Sequence, residues 1–149
     1  MKILVIHGPN LNMLGKRDKG IYGDKTLAET DSSLKKQGEA LKVEVVTFQS
    51  NSEGTLIDFI QEKSDSADGI IINPGALTHY GLSLRDALTD TRLPVIEVHL
   101  SNIYAREEWR AESVIAPIAK GQVSGLGWRG YLAALESLVA EIKGEDVGL

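Results

Sequence analysis

The chain has 149 residues, 42% of them hydrophobic and 25% charged, with no cysteine. At ~150 residues a fold buries roughly 68–70% of its unfolded surface, enough for one domain spanning 1–149, whereas a TIM barrel typically needs ~250 residues. The missing thiols exclude disulfides, thiolate zinc sites and cysteine nucleophiles, and a net charge of -5 argues against a nucleic-acid partner.

The first strand is expected over Ile3 to Ile6, a continuous aliphatic run of the buried kind. Its apolar stretch is too short for a signal peptide, and no segment approaches the ~18 apolar residues of a membrane span. A soluble, cytoplasmic protein without a membrane partner is therefore expected. Thr26-Leu27-Ala28-Glu29 has the capping-box pattern, and the helix it opens carries a thin stripe of Leu27, Leu34 and Leu41. Val43 to Phe48 forms the second strand, with Ser50-Asn51-Ser52 as turn and cap ahead of a helix bearing Leu56, Ile57, Phe59 and Ile60. Gly69 to Asn73 reads as the third strand, and a helix follows around Leu82 to Leu88.

Pro94 to Leu100 makes the fourth strand, with proline at its permitted first position. A short helix is expected over Ala105 to Arg110 and a fifth strand over Gly121 to Ser124. The last helix keeps three-four spacing through Trp128, Tyr131, Leu132, Leu135, Leu138, Val139 and Ile142, with Gly144 at its C-cap. Five strands alternating with helices, without hairpin dipeptides, imply an α/β fold with a parallel sheet covered on both faces.

Ligands of such sheets bind beyond the carboxyl ends of the strands, where His7, His79 and His99 all fall. Each serves either a site or a local hydrogen bond. Glu97 and His99 lie two apart on a strand and so share a face. A carboxylate there orients the imidazole and favours its protonated form, which suits a general acid. The segment Gly8 to Lys25 far exceeds the ~2–6 residues that usually join a strand to a helix, so it reads as a lid or binding loop. Lys16, Arg17 and Lys19 against Asp18 point to a small anionic ligand; a solvated surface loop is the plainer alternative. Free amides after Leu100, Ser101 and Asn102 could hold a carboxylate, and Arg106 and Arg110 would share one face of the short helix. Gly125-Leu126-Gly127-Trp128-Arg129-Gly130 matches the dinucleotide pattern but lacks the second strand and acid that give the pattern meaning. A tight turn explains it better, although a flavodoxin-like nucleotide- or flavin-binding module remains the alternative function.

Taken in order along the chain, Gly8-Pro9-Asn10-Leu11-Asn12, Phe48-Gln49-Ser50-Asn51, Ile72-Asn73-Pro74 and Thr78-His79 resemble the type II 3-dehydroquinate dehydratases. So do Leu84-Arg85-Asp86-Ala87, Glu97-Val98-His99-Leu100-Ser101-Asn102, Ala105-Arg106-Glu107-Glu108 with Arg110, and Gly125-Leu126-Gly127 with Gly130-Tyr131. The resemblance implies a flavodoxin-like three-layer sandwich with a five-stranded parallel sheet. It implies a hydro-lyase without metal or organic cofactor that converts 3-dehydroquinate to 3-dehydroshikimate through an enolate, a step used in the shikimate route and in quinate breakdown.

By that resemblance Tyr22 is the base, with Arg17 and Arg106 favouring its phenolate, Asn10 stabilising the enolate and His99, supported by Glu97, protonating the leaving hydroxyl. The amides of Leu100 and Ser101 would take the substrate carboxylate, and Asn73, His79 and Arg110 its hydroxyls. The family builds trimers into dodecamers, and Asp86 would reach a neighbour's site. Three departures stand out. Arg17-Asp18-Lys19 replaces the usual Arg-Glu-Pro, Tyr104 replaces a common histidine, and Ala111-Glu112 replaces a stretch that often bears one. They bear on lid closure, rate and pH profile, and remove no residue assigned to chemistry.

Overall fold

In a computed structural model that describes residues 1–145, five parallel strands form one sheet in the order β2-β1-β3-β4-β5. The strands are β1 (Lys2–His7), β2 (Glu44–Gln49), β3 (Gly69–Asn73), β4 (Val95–His99) and β5 (Gly121–Ser124). The helices are α1 (Lys19–Tyr22), α2 (Leu27–Leu41), α3 (Glu53–Lys63), α4 (Leu82–Thr91) and α5 (Arg129–Lys143). This is the flavodoxin-like strand order, with its reversal between β1 and β3.

The aliphatic strands alternate between two cores. Ile3, Val5, Ile71 and Val98 face α2 and α5, meeting Leu34, Leu135 and Leu138. Leu4, Ile6, Ile70 and Ile72 face α3 and α4, meeting Leu56, Ile60, Leu84 and Leu88. Each such side chain taken out of water contributes about 1.5–3 kcal/mol, which is why the central strands are aliphatic on both faces. The Thr26 hydroxyl accepts from the Glu29 amide and the Glu29 carboxylate reaches back to the Thr26 amide, as the capping-box pattern implies. The thin apolar stripe of α2 has a steric explanation: a Cβ on Gly38 would come within 2.7 Å of Val45, so the helix lies close against β2.

One expected element differs. Residues 103–111 form two separate 3-10 turns, Ile103–Ala105 and Glu108–Ala111, with Arg106 in extended backbone between them, instead of one helix from Ala105 to Arg110. Only Ile103 in this stretch is buried, so no apolar face holds a longer helix against the core. Arg106 and Arg110 consequently stand on different turns. Among the described residues no helix is long and apolar enough to cross a membrane.

Gly8 sets the floor at the strand ends. Its amide donates to the Asn73 carbonyl, and a Cβ would sit 2.5 Å from the Pro74 carbonyl oxygen. Gly8→Ala must part the ends of β1 and β3, at a cost of about 1–3 kcal/mol. Urea unfolding should show a lower midpoint; an unchanged midpoint contradicts this packing.

Candidate active site

A cavity of about 140 Å³ opens at the carboxyl edge of the sheet. Asn10 approaches it from the β1 loop, Arg17 and Tyr22 from the segment that precedes α2, and Asn73 from the end of β3. His99, Leu100 and Ser101 enter at the end of β4, with His79, Arg106 and Arg110 on 3-10 turns or beside them. The expected residues outside its lining are Glu97, which stands behind His99, and Asp86, which is exposed on α4.

The long segment after β1 is folded rather than loose. Leu11 and Leu14 anchor it in the α2/α5 core, and Asp18 caps α1 by accepting from the Gly20 amide. The departure at Asp18 therefore retains a defined job as an N-cap. Asn10 has φ 70°, a left-handed conformation that asparagine tolerates better than most residues. Its amide donates to the Asn51 side chain, and Gln49 donates to both Asn51 and the Gly8 carbonyl, so the β2 end holds the β1 loop.

Arg17 donates to the Tyr22 hydroxyl at 2.9 Å, with its guanidinium carbon 3.8 Å from the ring centroid. The Arg106 guanidinium lies 5.3 Å from the same centroid and donates to the Ser101 hydroxyl. Two cations thus stand beside one phenol.

Behind His99 is a buried carboxylate. Glu97 Oε2 accepts from His99 Nε2 at 2.5 Å and from the Thr78 hydroxyl at 2.6 Å, while Ser113 donates to both carboxylate oxygens. Ser113 is itself held by the amides of Ile115 and Ala116. Burial pushes the Glu97 carboxyl up, but the hydrogen bonds from His99, Thr78 and Ser113 and the nearby imidazole together hold it below its ordinary range. Neither hydroxyl was assigned a role from the sequence. A carboxylate on an aliphatic strand demands donors, yet those come from 19 and 16 residues away and only the fold brings them in.

His79 donates from Nδ1 to the Glu112 carbonyl, which can only accept, leaving Nε2 unprotonated in the neutral ring. That contact uses the backbone, so the Ala111-Glu112 departure preserves it. Trp109 packs edge-on to His79, with the Arg110 guanidinium 4.1 Å from its ring centroid. His7 differs from the other two histidines. It is fully buried between Asp31 and Tyr131 and lines no part of the cavity.

The glycine-rich turn before α5 is structural. The Gly125 amide donates to the His99 carbonyl and the Gly127 amide to that of Leu100, so these amides secure β4. Among the described residues no three His, Cys, Asp or Glu side chains stand close enough to hold a metal ion.

Strand order and a polar cavity at the switch point define an α/β protein with a small-molecule site. Residues 1–139 match the family described as dehydroquinase class II, and the chain belongs to that family. It is 63% identical over 139 residues to a 3-dehydroquinate dehydratase of Roseiflexus castenholzii, covering 93% of this chain and 88% of the relative. Similarity to the enzyme of that name from Bacillus subtilis is 50% over 143 residues, covering 96% and 97% of the two chains. The crystal structure of type II dehydroquinase from Butyrivibrio crossotus superposes with a TM-score of 0.90 at 47% identity, over 93% of this chain and 97% of that one.

The depressed Glu97 carboxyl has a measurable consequence. Its contribution to stability is present above the unfolded value of ~4.3 and is lost as pH falls through the lower folded value. Ser113→Ala removes a donor to the ionised form and raises the folded value toward the unfolded one, so the contribution should be smaller and its loss complete at higher pH. Unfolding measured from neutral to acid pH reads the shift; an unmoved acid limb contradicts it.

Proposed function

We propose that the chain dehydrates 3-dehydroquinate to 3-dehydroshikimate through an enolate. The observation that carries this reading is a phenol and an imidazole lining one cavity, each with its own charged partner: Tyr22 with Arg17, His99 with Glu97.

The hydrogen next to a ketone is acidic because its electron pair can move onto the carbonyl oxygen. Tyr22, as phenolate beside Arg17 and Arg106, takes that proton. Asn10, whose left-handed backbone sets it at the cavity wall, stabilises the enolate oxygen through an ordered water. The enolate then collapses. Its electron pair forms the new carbon–carbon double bond, the carbon–oxygen bond to the hydroxyl breaks, and His99 gives a proton so that water leaves. The proton on Tyr22 passes to solvent, and His99 is reprotonated. Glu97 stabilises the imidazolium that donates and keeps its ring aimed.

In the same proposal the amides of Leu100 and Ser101 take the substrate carboxylate, and Asn73, His79 and Arg110 bind its hydroxyls. The chain assembles as trimers within a dodecamer, and Asp86, exposed outside the cavity of its own chain, serves a neighbouring one.

Purified protein mixed with 3-dehydroquinate should develop the absorbance of a conjugated enone. A coloured preparation that carries flavin and produces no enone would contradict the proposal. Tyr22→Phe should keep the circular dichroism spectrum and lower kcat by about 100-fold or more. Turnover close to wild type would remove Tyr22 as the base.

A further inference from the structure

The polar run Gln49-Ser50-Asn51 at the end of β2 has no task in the dehydration, yet it holds the backbone of a residue that does. Asn10 lines the cavity with its backbone in the left-handed region, at φ 70°. An asparagine often secures that conformation by bonding its own side chain to nearby backbone. Asn10 does not: it precedes the 3-10 turn Leu11–Met13 without a capping bond from its side chain. Its conformation is held instead at the backbone amide, which donates to Asn51 Oδ1 at 2.9 Å.

Backbone groups at the two ends fix how the supporting side chains face. The Asn10 N–H can only donate, so Asn51 presents its oxygen; the Gly8 carbonyl can only accept, so Gln49 presents its nitrogen, at 3.2 Å. The same Gln49 nitrogen donates to Asn51 Oδ1 at 3.1 Å. Two side chains thus bridge Gly8 and Asn10, and Gly8 is tied from its other side through its own amide to the Asn73 carbonyl. The mount is equally well fixed. The Ser50 amide donates to the His7 carbonyl, the Ser52 amide donates to the Ser50 hydroxyl, and the Ser52 hydroxyl caps α3 by accepting from the Thr55 amide.

Asn51 is exposed, so no buried charge or core gap calls for its carboxamide; the Asn10 amide and Gln49 are what it serves. We infer that Asn51, oriented by Gln49, is a positioning residue that holds Asn10 in its left-handed conformation and so aims the Asn10 side chain at the enolate oxygen. This rests on the proposed dehydration, in which Asn10 stabilises the enolate. The enolate exists only after the proton has been taken, so a misdirected Asn10 costs turnover and leaves substrate binding alone.

The test measures kcat, KM and thermal midpoint for Asn51→Ala, made both in the wild-type protein and in Asn10→Gly, at enzyme concentrations high enough to follow slow turnover. Glycine adopts φ 70° freely and has no side chain to aim, so that background leaves Asn51 nothing to position. Losing one hydrogen bond should lower kcat about 3- to 10-fold with KM nearly unchanged. In Asn10→Gly the same change should leave kcat unmoved. An unchanged kcat in Asn51→Ala, an equal fall in both backgrounds, or an effect confined to KM would overturn the inference whatever happens to the thermal midpoint. Should Asn51→Ala fail to fold, Gln49→Ala supplies the comparison: a kcat fall that needs the Asn10 side chain supports the inference, and its absence overturns it. A wild-type protein without turnover overturns the dehydratase reading and this inference with it. Wild-type turnover with an unmoved kcat in Asn51→Ala overturns the inference alone.

Discussion

A carboxylate with no exposed surface, Glu97 in the middle of an aliphatic strand, is the constraint around which the catalytic edge is arranged. An unpaired charge there would cost several kcal/mol, so the fold surrounds it with an imidazole and two hydroxyls. Thr78 arrives on the turn after β3 and Ser113 on the segment before β5, and both must be in place for the charge to be tolerated. The same contacts fix the His99 ring at the cavity. Compensating the buried charge and aiming the His99 ring are one structural requirement.

The sheet isolates this apparatus from a second polar system on its other face, the Asp31, His7 and Tyr131 chain. The first reaches the cavity through His99, whereas His7 and Tyr131 line no part of it, and the two systems are packed on opposite sides of the sheet. Across the cavity mouth, Tyr22 and Arg17 belong to a segment pinned by Leu11 and Leu14 and capped at Asp18. Tyr22 therefore sits on a short helix with a fixed stem, while His99 sits at the end of a strand.

How much of this was legible in the chain follows from the range of the interactions. The bounds of β3 and β5 match their expected Gly69–Asn73 and Gly121–Ser124, because glycine and polar residues bracket those runs. The capping box at Thr26 is a contact within one turn and was equally readable. The expected Ala105 to Arg110 helix failed because charge spacing alone does not hold a helix without an apolar face. Two readings left open in the sequence were decided by long-range contacts. His7 proved to be a core residue through Asp31 and Tyr131, and the Gly125 and Gly127 amides proved to be engaged by the carbonyls of His99 and Leu100. Thr78 and Ser113 had no local signature. Their importance comes from a charge 19 and 16 residues away.

The central claim is that the Glu97 charge, and not only its shape, prepares His99 for proton donation. Glu97→Gln keeps the shape and removes the charge. Steady-state dehydration by this variant, with native circular dichroism, should show kcat reduced by about 100-fold or more and KM nearly unchanged. A folded Glu97→Gln enzyme with wild-type turnover would contradict the account.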